Sequence, residues 1–194
     1  MHAYHLTLKN GKKYILYFSN GEHEIGDICG LLRWKNGKLT EEVNFGKLNN
    51  AGHYPGHFFS VKKFKLTNNQ VRVWMEGSSS GLARFKVYAD AAFSGSTMKL
   101  KATNIRFDNI KNWGSGYACG NTWYTTKKRL QGYKSYSGTA KSFVISGGTQ
   151  VMLVKYYPSK KYNRILVKLK NGKTAWINDT FSGDCLFNEL YYWA

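Results

Sequence analysis

The stretch Arg164-Ile165-Leu166-Val167-Lys168-Leu169-Lys170-Asn171-Gly172-Lys173-Thr174-Ala175-Trp176-Ile177 decides the fold. Ile165, Val167 and Leu169 alternate with Lys168 and Lys170, the two-residue period of a strand with one buried face. Asn171-Gly172 follows at once. Asn-Gly is the strongest short hairpin signal, because a type I′ turn needs two residues tolerant of positive φ. Lys173 to Ile177 then supplies the returning strand.

The same signals recur along the chain. Asn-Gly appears at Asn10-Gly11, Asn20-Gly21, Asn36-Gly37 and Asn171-Gly172, three times inside the tetrapeptide Lys-Asn-Gly-Lys. Alternating apolar residues mark further strands: Val71, Val73 and Met75; Phe85, Val87 and Ala89; Met98, Leu100 and Ala102; with another strand expected at Asn104 to Ile110. No segment keeps a 3.6-residue apolar stripe for three turns, and Gly numbers 20 against two Pro, Pro55 and Pro158. The expected fold is all-β. Gly and Ser cluster between residues 112 and 140, amid Trp113, Trp123 and Tyr124, and place a boundary there. The expectation is an antiparallel β-sandwich or jelly-roll-like domain over 1–125 and a small barrel over 126–194.

Charge is spread unevenly over the 194 residues. The formal net charge is +18, and the segment from Asn109 to Asn178 holds 13 Lys or Arg, 11 aromatics and no Asp or Glu. Cations in such a segment find no carboxylate within it, so a positive face studded with rings is expected, suited to polyanions and to ring-shaped groups. No apolar run is long enough to span a membrane, and the first residues, Met1 to His5, lack the pattern of a secretory signal. Cys29, Cys119 and Cys185 lie far apart and are odd in number. They spell neither a disulfide framework nor a C-x-x-C metal pair and are expected as reduced, mostly buried thiols.

From Phe143 the strands and turns run through Gly147-Gly148, Val151 to Tyr157, a polar turn at Pro158 to Asn163, Arg164 to Leu169, Asn171-Gly172 and Trp176-Ile177. This order, with Val167-Lys168-Leu169 before the last turn and a small residue before Trp176, resembles the bacterial Src homology 3-type domains attached to cell-wall hydrolases. The likeness covers roughly 40 residues; Ala175 stands where that family usually has Gly. The resemblance implies a small barrel that recognises peptidoglycan cross-bridges or other wall components. On it, Tyr156, Tyr157, Tyr162, Arg164, Lys173 and Trp176 are the candidate ligand-binding residues. The front segment resembles no family, and at least two of Trp34, Trp74 and Trp113 are expected in its core.

Hydrolytic chemistry needs carboxylates, an activated nucleophile or a metal. Glu22-His23-Glu24 with Asp27 gathers acids and an imidazole on a turn that could bind a metal or serve as an acid–base pair, but Glu-x-Glu at a hairpin after Asn20-Gly21 is usually a solvated edge. His53 and His57 flank Pro55-Gly56, so they share no helical face and lack a third ligand at recognisable spacing. Cys29 lies in a strand-like run and is a poor nucleophile candidate. Phosphate-binding Gly loops and the G-x-S-x-G elbow are absent from the sequence. No cofactor or metal is called for.

Three functions compete at this stage. The leading one is a secreted or wall-associated protein, a phage source included, that binds cell-wall glycan, stem peptide or teichoic acid as the binding part of a lysin or bacteriocin. The second is a nucleic-acid-binding β protein, which stacks bases and tracks phosphates. The third is a small basic toxin enzyme, such as a ribonuclease using His53, His57 and Glu76.

Overall fold

The structure, a computed structural model, describes residues 2–18, 29–44, 60–67, 70–94, 97–100, 102–109, 117–158, 163–179 and 185–191. The protein is all-β: among the described residues there are sixteen strands, one 3-10 turn at Ala102–Asn104 and no α-helix. Strands β1 (His2–Thr7), β2 (Lys13–Phe18), β3 (Cys29–Lys35) and β4 (Lys38–Asn44) form an antiparallel meander. A second sheet takes β5 (Ser60–Thr67), β6 (Gln70–Ser79), β7 (Ala83–Ser94), β8 (Thr97–Leu100), β9 (Arg106–Phe107) and β10 (Tyr117–Ala118). It continues through β11 (Trp123–Thr125), β12 (Leu130–Tyr133), β13 (Lys141–Ile145), β14 (Gln150–Tyr157), β15 (Arg164–Leu169) and β16 (Thr174–Asn178). Its order is β13-β12-β16-β15-β14-β9-β7-β6-β5, with β8 and β10 also paired to β7 and β11 to β14.

The Lys-Asn-Gly-Lys tetrapeptides turn the chain in two ways. Asn36 and Gly37 both have positive φ, 50° and 75°, and join Lys35 to its cross-strand partner Lys38 as a two-residue type I′ turn. At the other two sites only the glycine is left-handed, Gly11 at 77° and Gly172 at 83°. There Gly11 N donates to Leu8 O and Gly172 N to Leu169 O, each at 2.9 Å. These are type I turns closed by a glycine bulge, and the Asn side chain accepts from the amide two residues on, Lys12 N at 3.2 Å and Lys173 N at 3.1 Å. Asn20-Gly21 lies outside the described residues.

The first sheet lies against the inward face of β5–β8. Tyr4 meets Phe64 with ring centroids 5.1 Å apart, and Tyr14 meets Phe93 at 6.3 Å. Glu42 ties the two layers. Its carboxylate accepts from Tyr14 Oη at 2.9 Å, Arg33 Nη1 at 3.2 Å and the backbone N of Met98 on β8 at 3.0 Å. Burial alone would raise its pKa, but these donors outweigh burial and hold the carboxyl below its ordinary value. Tyr14 is shifted upward, by burial first and then by the neighbouring carboxylate.

Alternation along β6 and β7 sends Val71, Val73, Met75, Phe85, Val87, Ala89 and Ala91 into the core. The same alternation corrects the expectation for the front tryptophans. Trp74 shares the outward register of Arg72 and Glu76, and Trp34, beside the tight turn, is 66% exposed. Trp113 lies outside the described residues. Rings in the core are instead Tyr14, Phe85, Phe107, Tyr124, Tyr156 and Phe187. The strand expected at Asn104 to Ile110 shortens to Arg106–Phe107, because the chain enters it from the 3-10 turn.

Those two residues bridge the front and rear of the sheet. Tyr88 and Val87 of β7 pair with Arg106 and Phe107, and Arg106 pairs on its other side with Lys155 of β14. Behind the bridge Tyr156 packs 4.7 Å from Phe85 and 6.3 Å from Phe107, edge-on to the latter. The Tyr156 hydroxyl donates to Asp179, whose carboxylate also accepts from Gly81 N at 2.9 Å in the β6–β7 turn. Strand β11 precedes residue 126 yet pairs with β14, so ladder bonding runs across the 125/126 position.

Cys185 is buried and Cys119 half-buried, both as reduced thiols; the side chain of Cys29 lies outside what the structure describes. Among the described residues no helix is long and apolar enough to cross a membrane.

Candidate functional site

Register assigns the side chains of the rear strands to faces. Cross-strand partners in an antiparallel pair point to the same side of the sheet. Tyr157 is opposite Arg164, Arg164 opposite Asn178, Leu166 opposite Trp176, and Trp176 opposite Tyr133. These residues therefore share the outward face, while Ile165, Val167, Ala175 and Ile177 turn inward and are buried.

A short connection folds over that outward face. After β12 the chain leaves the ladder, and Lys134 N donates to Ala140 O at 3.0 Å to close the excursion. Within it Gly138 N donates to Ser135 Oγ at 2.9 Å. Gly132 lets β12 approach: a Cβ there would stand 2.6 Å from Phe143 O and 2.9 Å from Ala175 Cβ. The excursion carries Tyr136 back over the sheet. Its ring centroid is 4.4 Å from that of Tyr157 and 5.9 Å from that of Trp176, and Tyr157 and Trp176 are 6.5 Å apart at 78°. Tyr136 is exposed, and the other two rings are half-buried.

Arg164 supports this cluster from below. It is only 2% exposed. Its Nη1 donates to Ser135 O at 2.6 Å and its Nε to Asn178 Oδ1 at 3.2 Å, and its guanidinium carbon lies 4.1 Å from the Tyr133 ring centroid. A desolvated guanidinium needs its planar donors satisfied, and here they hold the excursion that carries Tyr136. Chemically the cluster offers ring edges and partial ring faces, two phenolic hydroxyls and an indole N–H, an amphipathic lining suited to sugars or planar groups. Lys155 and Lys168 occupy the same face by register, opposite Leu166 and Thr174 respectively.

The sequence candidates separate accordingly. Tyr157, Arg164 and Trp176 come together, with Arg164 as the buried support. Tyr156 faces the other way, fully buried, because neighbours on a strand point to opposite faces. Lys173 is exposed at the β15–β16 turn, about 10 Å along the strand from Trp176. Tyr162, His53 and His57 lie outside the described residues, as do Glu22, His23, Glu24 and Asp27. Glu76 stands on the outward face of β6 with Lys86 Nζ at 3.0 Å. Among the described residues no three His, Cys, Asp or Glu side chains gather in a group fit to hold a metal. A shallow depression lined by Thr149, Gln150, Leu169, Lys170 and Asn171 has one cation and no acid or general base beside the Thr149 hydroxyl.

Tyr136 and Tyr133 were missed by sequence reasoning. The signal lay in Tyr133-Lys134-Ser135-Tyr136, two rings about a cation inside the Gly- and Ser-rich stretch that reads as a boundary. No family model matches the chain, and neither a curated protein nor a solved structure matches it.

Proposed function

We propose that the protein binds the bacterial cell envelope, recognising wall glycan through the Tyr136, Tyr157 and Trp176 rings. One observation carries this reading: three rings, held at 4.4 to 6.5 Å from one another, emerge over a buried guanidinium on a segment without carboxylates. Tyr and Trp bury an apolar body against a ligand while their polar tips keep a hydrogen bond, which suits the apolar faces and hydroxyls of sugar rings. The surrounding positive charge draws the protein to the anionic wall.

Binding rather than catalysis is the function these residues support. The candidate acid Glu76 is engaged with Lys86, and among the described residues the ring cluster holds no acid–base pair. The test is retention of the purified chain on insoluble Gram-positive walls, before and after acid extraction of teichoic acids, near physiological salt where nonspecific attraction is damped. Retention on both preparations, weakened by Tyr136→Ala, is the expected result. Loss on extraction would move the ligand to teichoic acid. Failure to bind either preparation would overturn the reading.

A further inference from the structure

We infer that the binding face continues from the ring cluster across the sheet to β6 and forms an extended track for a linear, carboxylate-bearing glycan. This rests on the wall-glycan reading and names the form of ligand. The register carries the argument. Trp74 is opposite Tyr88, Tyr88 opposite Arg106, Arg106 opposite Lys155, Lys155 opposite Leu166, and Leu166 opposite Trp176. Each partner shares its neighbour's face, so a single transverse row crosses six strands. At the usual strand spacing it runs about 24 Å.

The row has rings at both ends and cations in the middle. Trp74 and Tyr88 lie 6.4 Å apart at 44°. The carboxylates near them are engaged: Asp90 accepts from Arg72 at 2.7 and 2.8 Å, Glu76 pairs with Lys86, and Asp108, which also acts on Arg72, accepts from Asn109 N at 2.9 Å. Arg106 is exposed and Lys155 half-buried, and neither is in an ion pair among the described residues. Arg106 and Lys155 outnumber the one carboxylate beside them, Asp108, so among the described residues the centre of the track is net positive, complementary to carboxylates set between sugar contacts. The rings are tilted or edge-on to one another, and all but the exposed Tyr136 are part-buried. They do not form the flat open platforms on which successive nucleobases stack. A chain of pyranose rings needs only such partial faces, together with the phenolic and indole donors beside them.

The test uses the full chain and two probes, a single disaccharide-peptide unit of peptidoglycan and long uncross-linked glycan strands with their stem peptides. Arg106→Ala is the main variant, since the side chain is exposed. Trp74→Ala is added with its stability checked by denaturation. Long strands are expected to bind tighter than the unit, and Arg106→Ala to weaken long-strand binding about tenfold, the loss of one charge-assisted hydrogen bond. The same variant leaves the single unit unaffected, whereas Tyr136→Ala weakens both probes. If long strands bind no tighter than the unit, or Arg106→Ala leaves them unchanged while Tyr136→Ala does not, the track is overturned and the ring cluster stands. If Tyr136→Ala affects neither probe, the ring-cluster reading itself falls. Preference for teichoic acid or for single-stranded DNA over glycan strands would overturn the choice of ligand.

Discussion

The hydroxyl of Tyr156 donates a hydrogen bond to Asp179 Oδ2 at 3.1 Å, and this bond closes the joint between the front and rear of the molecule. Asp179 follows β16, Gly81 sits in the β6–β7 turn, and Tyr156 comes from β14, so one carboxylate gathers three remote segments. The residue keeps some exposed surface, but its carboxyl points inward. Burial pushes its pKa up to about 6, against the opposing pull of hydrogen bonds from Ser79, Tyr156 and Gly81.

The joint is therefore expected to weaken as pH rises. Unfolded, this carboxyl titrates near 3.8; folded, near 6. The native state holds the extra proton between those values. Its contribution is complete below about pH 4 and is lost as pH climbs through 6, with a limit of about 3 kcal/mol. Denaturant unfolding at intervals from pH 4 to 7 measures the slope, and Asp179→Asn should flatten it.

Gly81→Ala should destabilise the same joint. A Cβ there would run into Asp179 Oδ1 and stand 2.9 Å from Leu186 Cδ1. Overpacking of this kind costs about 1–3 kcal/mol. Thermal or denaturant unfolding at one pH checks it, and an unchanged midpoint would mean that the turn is less closely packed than described.

Glu42→Ala removes the acceptor shared by Tyr14, Arg33 and Met98 N. A buried hydroxyl and a backbone amide would then lack that partner, for a loss of about 2–4 kcal/mol. Glu42→Gln keeps the volume and part of the acceptor capacity and should lose less. Paired unfolding curves of the two variants decide it.

Arg164→Ala should both lower stability by about 2–3 kcal/mol and loosen the ring cluster, because Ser135 O and Asn178 lose a donor and Tyr133 its cation. Arg164→Lys should rescue little, since an ammonium cannot reproduce the planar fork. Near-ultraviolet circular dichroism of the tyrosines, set beside the unfolding midpoint, separates the two effects.

Much of the architecture was legible in the chain. Alternation at Val71-Val73-Met75 and at Ile165-Val167-Leu169 marks faces that are indeed buried, and turns fall at Asn10-Gly11, Asn36-Gly37 and Asn171-Gly172, the three Asn-Gly pairs among the described residues. Turn type was less legible, because Asn10-Gly11 and Asn36-Gly37 share a tetrapeptide and yet close loops of different length. The faces of rings were harder again. Adjacent Tyr156 and Tyr157 have the same composition and opposite fates, and only the register shift between Leu153 and Lys155 fixes which one turns inward. Tyr136 escaped notice because its position depends on Arg164, 28 residues further along, holding Ser135 in place.

Strand β9 has two residues, and through it the backbone ladder passes from β7 to β14. Load applied between the two ends of the sheet is thus concentrated on a very short rung, backed by the Phe107–Tyr156 contact and the Asp179 hydrogen bonds. A molecule pulled along that line should part there first, with the rear strands still folded. The yield force should then depend on the acidity of the medium, higher when Asp179 carries its proton.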